Sequence, residues 1–282
     1  VADPVPVLDD LRAESAELDA LVGELSPADW ARSTPAPGWT VTHQIAHLAW
    51  TDEVALVAVT DPDAFAKEVE KALAAPHEFV DEGAERGAVL PPDELLARWR
   101  HGREALQLAL REAPPGTRCP WYGPPMSVAS MATARLMETW AHGQDVADAF
   151  AVRRVPTARL RHVARIGVRA RDYAYVVREL TPPEAEFRIE LAAPDGGEPW
   201  TYGPPDAVQR VTGPALDFCL LVTQRAHRDD LALRADGAEA DRWLDIAQAF
   251  AGPPGQGRAP KTAHTTDGTA AADPTAPEDG GR

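Results

Sequence analysis

Residues 37–50 read PGWTVTHQIAHLAW and residues 137–150 read METWAHGQDVADAF. Each stretch carries a polar pair four residues apart, His43 with His47 in the first and Glu138 with His142 in the second. On an α-helix that spacing stacks both side chains on one face. Thr40 is suited to cap the first helix, and Ile45, Leu48, Ala49 and Leu56 recur on its inner side out to about Thr60. The second pair lies in a helical pattern running from Ser127 to Val152. Ile45, Leu48 and Trp50 flank one pair, and Leu136, Met137 and Trp140 the other, so both belong near apolar packing. If both faces turn inward, three or four of these side chains converge. Neutral imidazole nitrogen and carboxylate oxygen form a borderline donor set for a divalent metal, and three protein ligands leave a position open for water or substrate. Either pair alone is also a common arrangement on a solvated helix surface; the apolar flanks are what favour the metal reading.

Outward from these segments the chain reads as helices joined by loops. Leu8, Leu11, Leu18, Leu21, Val22 and Leu25 mark an amphipathic helix over residues 7–25, with a short turn at Pro27–Arg32 after it. Thr34–Trp39 is a loop, Pro62–Leu73 a short helix and Ala75–Val89 irregular. Leu95, Leu96, Trp99, Leu106 and Leu110 define a helix over Pro91–Ala113, Cys119–Pro125 a loop, and Pro156–Leu180 a further helix. Helices of this length and number predict an antiparallel α-bundle over residues 7–155, with a connecting helix over 156–182.

From Glu186 the period becomes two: Phe187, Ile189 and Leu191 alternate with charged residues, a turn follows at Pro194–Gly197, then Trp200 and Tyr202. This predicts a β-hairpin, a third strand at Val208–Thr212, and helices at Pro214–Arg225 and Asp241–Phe250, together a small α+β domain over 183–251. Residues 252–282 hold almost nothing large and apolar, and are expected to be disordered. The fold class is therefore mainly α with a small α+β part.

At 282 residues the chain has length for two folded units. Its Lys+Arg total of 28 against 44 Asp+Glu gives a net charge of −16, which argues against a nucleic-acid or anionic-membrane partner. The start, VADPVPVLDD, has no basic segment followed by an apolar one, and no run reaches the ~20 apolar residues of a membrane span, so a cytoplasmic protein, monomer or homodimer, is expected. Cys119 and Cys219 form neither a disulfide framework nor a thiolate metal site. Neither has a local activating signature. Trp30, Trp39, Trp50, Trp99 and Trp140 read as core or pocket walls, and Arg159, Arg161, Arg165, Arg169 and Arg171 as a solvated helix face.

The two opening segments resemble the signature segments of the DinB-like superfamily, and within it the N-terminal domain of the mycothiol-dependent maleylpyruvate isomerases of actinobacteria. Val211–Arg225, VTGPALDFCLLVTQR, is similar to a strand–Gly-Pro–helix element in the second domain of those isomerases, and more similar still to the small domain that bears the name wyosine-base formation. The resemblance implies a four-helix bundle holding a divalent metal, usually zinc. The positions that match its ligands are His47, Glu138 and His142; His43 falls at an earlier position, as a neighbour or second-shell group. It further implies mycothiol as cofactor or co-substrate and a small electrophilic substrate, with the metal activating the thiol for isomerisation or S-transfer. The competing readings are a metal-dependent hydrolase or cyclase using metal-bound water, and a non-catalytic metal- or small-ligand-binding protein.

Overall fold

A computed structural model of the chain describes residues 3–74 and 78–261. The helical part runs α1 (Val5–Gly23), α2 (Pro27–Trp30), α3 (Val41–Thr60), α4 (Pro62–Ala74), α5 (Phe79–Ala88), α6 (Pro92–Glu112) and α7 (Val128–Ala149). The long helices α1, α3, α6 and α7 pack on one another, α3 against α6 and α7, α1 against α7 and α6. Leu18, Val22, Ile45, Leu48, Leu95 and Trp99 interlock between α1, α3 and α6, at most 2% exposed. Inside this packing Arg135 of α7 donates from Nε to Asp52 Oδ1 of α3 at 2.8 Å and from Nη2 to Thr51 Oγ1 at 2.7 Å. Both charges of that pair are buried.

Residues 75–89, expected to be irregular, instead contain α5, with Ala75, Pro76 and His77 outside the described residues. Two glycines lower the helical propensity of this stretch, and tertiary packing overrides them. Gly83 and Gly87 face α3 one turn apart, and a Cβ on either would come within 2.5 Å of the Trp50 ring or 2.8 Å of Ala46 Cβ. The glycines that weaken the local signal are what let α5 lie close against α3. The Cys119–Pro125 loop is bounded by a short hairpin, β1 (Arg118–Cys119) with β2 (Met126–Ser127).

The helix expected over Pro156–Leu180 is two, α8 (Leu160–Arg169) and α9 (Arg171–Val176), divided at Ala170. The break turns α9 onto α11 (Ala238–Ile246), where Tyr175 hydroxyl reaches the Glu239 carbonyl at 3.4 Å. The sheet has the order β4-β3-β5-β6, from β3 (Phe187–Ala192), β4 (Trp200–Tyr202), β5 (Gln209–Pro214) and β6 (Arg234–Asp236). The expected hairpin is the antiparallel β3–β4 pair; β5 joins β3 parallel, Ile189 opposite Val211, and the unanticipated β6 closes the other edge. Gly203 (φ +76°) makes the crossing from β4 to β5 possible, since a Cβ there would overlap the Phe187 carbonyl oxygen. With α10 (Ala215–Val222) and α11, the sheet buries Phe187, Ile189, Val211, Phe218 and Trp243. That core is continuous, through Leu160 and Val163 of α8, with Met131 and Leu136 of α7.

Gly252–Lys261, expected to be disordered, lies along the body. Gln248 Nε2 donates to the carbonyls of Phe250 and Gly252, Tyr173 hydroxyl bonds Gly252, and Arg258 pairs with Asp145 and Asp148 of α7. Polar anchors hold this segment, which a count of apolar residues overlooks. The remainder of the expected tail, 262–282, lies outside the described residues. Among the described residues no helix is long and apolar enough to cross a membrane.

The Asp52–Arg135 pair carries a direct test. Burial pushes the Asp52 carboxyl up against the pull of Arg135. Asp52→Ala leaves the guanidinium buried and unpaired, and should lower unfolding free energy in a urea titration by about 3–5 kcal/mol. A loss below about 1 kcal/mol, the range of exposed pairs, would show that α3 and α7 do not depend on it.

Candidate metal centre

The His43/His47 pair lies on α3 and the Glu138/His142 pair on α7, and these helices pack together. The structure brings His47, Glu138 and His142 together: one ligand atom from each lies within 4.8 Å of the others. Glu138 Oε2 is 3.3 Å from His47 Nε2 and 3.2 Å from His142 Nε2, and the imidazole rings are 4.4 Å apart at their centroids. Burial pushes the Glu138 carboxyl up, but the adjoining His142 and His47 imidazoles outweigh it and hold the group well below the ordinary carboxylate range. Burial, reinforced by His47, brings His142 down to about 4. At neutral pH this is an ionised carboxylate beside a neutral imidazole, the protonation states in which these groups bind a divalent cation. The donor set, two nitrogens and one oxygen, fits a divalent metal with a position left open.

His43 is turned elsewhere. Its Nδ1 accepts from the Thr40 backbone N–H at 3.2 Å and sits 2.7 Å from Thr40 Oγ1, closing a capping box on α3, and its Nε2 is 3.3 Å from Glu85 Oε1 of α5. The Trp39 ring lies 6.3 Å from His43, 5.4 Å from His47 and 5.9 Å from His142. Trp50 flanks His47 on another side, at 5.9 Å. Trp39 and Trp50 are thus half-buried walls of the site, whereas Trp30, Trp99 and Trp140 are core.

Three further residues of the site had no signal in the motif reading. Gln44, fully buried, places its Oε1 2.5 Å from His142 Nδ1 and donates from Nε2 to Thr34 Oγ1 at 2.9 Å. Asp81 of α5 accepts from the Trp39 indole at 3.2 Å. A buried amide beside two candidate ligands is a recognisable sign for Gln44 once α3 is placed; Thr34 and Asp81 depend on chain crossings that no local pattern encodes.

The other expected features are placed as follows. Cys119 and Cys219 are buried, and burial pushes both thiols up, so neither offers a thiolate at neutral pH. Arg159 does not belong to a solvated face: it pairs with Glu14 and Glu17 of α1. Arg171 pairs with Asp172, while Arg161 lies over the Trp200 ring. Cavities of about 200 and 370 Å³ beside α1 are both lined by Glu17, Arg154 and Arg159, the smaller also by Glu14, and none of His47, Glu138 and His142 lines them.

Residues 11–147, which include all three converging side chains, match the model of the mycothiol maleylpyruvate isomerase N-terminal domain. This segment belongs to that domain family. Residues 183–236 match the wyosine base formation domain. Uncharacterized proteins of two strains of Mycobacterium tuberculosis are 58% identical over 258 residues, covering 92% of this chain and all of theirs. Among solved structures, the fold is similar to that of the mycothiol-dependent maleylpyruvate isomerase, at TM-score 0.55 and 18% identity over 80% of this chain and 90% of that one. A mutant of that enzyme gives TM-score 0.56 and 16% identity over 82% and 93%. The mainly α architecture with a small α+β part is therefore the isomerase fold.

The geometry separates the two histidines of α3. Metal analysis should find divalent metal lost from His47→Ala and His142→Ala, and stoichiometric in His43→Ala, where a helix cap is weakened instead. Equal loss from His43→Ala and His47→Ala would place His43 among the ligands.

Proposed function

We propose that this family member is a metal-dependent enzyme that uses a low-molecular-weight thiol, mycothiol, as cofactor or co-substrate, and acts on a small electrophilic molecule by isomerisation or S-transfer. The observation that carries the reading is the convergence of His47, Glu138 and His142 from two helices into one N₂O donor set inside the family-matched segment. A divalent metal held there, zinc on the donor chemistry, supplies the positive charge that stabilises a thiol sulfur as thiolate at neutral pH.

The chain's own residues do the rest. Glu138 contributes the negative charge of the set, and the imidazoles contribute neutral nitrogen, so the protein leaves net positive charge for an incoming anionic sulfur. Trp39 and Trp50 shield the imidazoles and offer flat apolar faces to a substrate. With both cysteines buried and their pKa raised, the nucleophilic sulfur must come from outside the chain.

The reaction itself then belongs to the thiol. Its sulfur forms a C–S bond to an activated alkene carbon as the π pair moves onto the activating group. After rotation about the former double bond, return of that pair and expulsion of the thiolate give the isomer. Protonation of the carbanion before expulsion leaves the thioether, the S-transfer outcome.

In cobalt-substituted protein, added mycothiol should produce a sulfur-to-metal charge-transfer band, since the proposed ligands are nitrogen and oxygen and any sulfur at the metal must come from the added thiol. Its absence at saturating thiol, with metal bound and the protein folded, would turn the assignment to metal-bound water as nucleophile or to a binding role.

A further inference from the structure

We infer that Gln44 is the positioning residue of the metal centre: oriented by Thr34 and the Trp39 carbonyl, its Oε1 accepts a hydrogen bond from the Nδ1–H of His142, keeps the proton on that nitrogen and so presents the Nε2 lone pair to the metal. This rests on the metal-binding reading above, and it concerns a residue that is itself no ligand.

The argument is an accounting of protons along one chain of contacts. The Trp39 carbonyl accepts from the backbone N–H of Thr34 at 2.9 Å and from the Thr34 hydroxyl at 2.9 Å. A hydroxyl has one proton, so with it committed to Trp39 the Thr34 oxygen is an acceptor toward Gln44. The Gln44 NH₂ fills that role at 2.9 Å, which turns the other end of the amide, Oε1, to His142 Nδ1 at 2.5 Å. A carbonyl oxygen cannot donate, so the N–H of the neutral imidazole sits on Nδ1 and Nε2 carries the lone pair. That lone pair then faces Glu138 Oε2 at 3.2 Å, two acceptors with no proton to share. A cation between them resolves the repulsion.

The reverse orientation of the amide shows what Thr34 contributes. With the NH₂ against Nδ1, the imidazole proton would move to Nε2 and be given to Glu138, and both groups would be closed to a metal. The segment that covers the site thus also sets its tautomer: Trp39 lays its ring over the imidazoles while its carbonyl starts the relay. The bridge between Ser33 and Thr40 holds that segment across the N-terminus of α3. His47 has no comparable partner, because its Nδ1 is buried without a hydrogen bond among the described residues. The relay therefore acts on one histidine of the pair.

The test measures zinc dissociation constants by chelator competition for wild type, Gln44→Met, Gln44→Glu and Thr34→Val, with ¹⁵N NMR of the His142 ring in zinc-loaded wild type. Outer-shell partners of a metal-bound histidine typically contribute about 10–100-fold in affinity, so Gln44→Met, near in shape but without an acceptor, should weaken zinc by that factor. Gln44→Glu keeps an acceptor and should retain most of the affinity, a rescue that a packing role would not give. Thr34→Val should weaken zinc, and the NMR spectrum should show His142 protonated at Nδ1. Folded Gln44→Met that binds zinc as wild type does, Gln44→Glu that loses as much as Gln44→Met, or an unprotonated Nδ1 would each overturn the inference. Should Gln44→Met fail to fold, the glutamate variant and the wild-type spectrum still decide. Wild type that takes up no zinc overturns the metal reading itself, and this inference with it, whereas normal uptake with no response at residue 44 overturns only the role of Gln44.

Discussion

The buried contact between Asp52 and Arg135 fixes how α3 and α7 meet, and the candidate site is built on that meeting. Arg135 also bonds Thr51, whose hydroxyl returns to the carbonyl of His47, so the ion pair is wired to the backbone of a candidate ligand. On α7 Arg135 lies about one turn before Glu138. A slip of either helix by a turn would separate the charges and the donor set together. Two charges taken from water add little net stability, but an unpaired one is costly, and this asymmetry makes such a pair a register device.

The helix α7 has a second duty. Its C-terminal half presents Asp145, 1% exposed, to Arg225 in the turn after α10 and to Arg258 of the segment after α11. Arg225 also donates to the carbonyl of Ala141, the residue before His142, at 3.2 Å. One helix therefore links the site to the α+β part and to the strap formed by Gly252–Lys261. The apolar core makes the same connection through Leu160 and Val163. In an acidic chain of charge −16, arginines are concentrated at such joints, where Arg154 and Arg159 likewise tie α1 to the connection before α8.

The site has a division of labour with chemical meaning. The three converging side chains offer nitrogen and oxygen, and both thiols are buried, Cys219 packed with its Sγ 3.5 Å from the Leu160 carbonyl. A thiolate at this centre would then come from a second molecule, in keeping with the role proposed for mycothiol. The rim is aromatic and acidic, Trp39 held by Asp81 and His43 by Glu85, both from α5. That rim differs from the donor set in how it is assembled, since it depends on a short helix docked by two glycines.

What the sequence determined by itself was what local periodicity can encode. The four-residue spacings of His43/His47 and Glu138/His142, the cap at Thr40, and the alternation of Phe187, Ile189 and Leu191 mark their helices and strand because each depends on neighbours within a turn or two. The choice among the four polar side chains came instead from family resemblance, as spacing treats His43 and His47 alike. Tertiary structure decided the rest. It set His43 against Glu85 of α5, folded α5 where Gly83 and Gly87 argued against a helix, made β5 parallel to β3, and laid Gly252–Lys261 on polar anchors. It also joined Gln44 to His142 across 98 residues of sequence. The physical reason is common to all of these: each is set by what a distant segment places opposite the residue, and no local pattern records its partner.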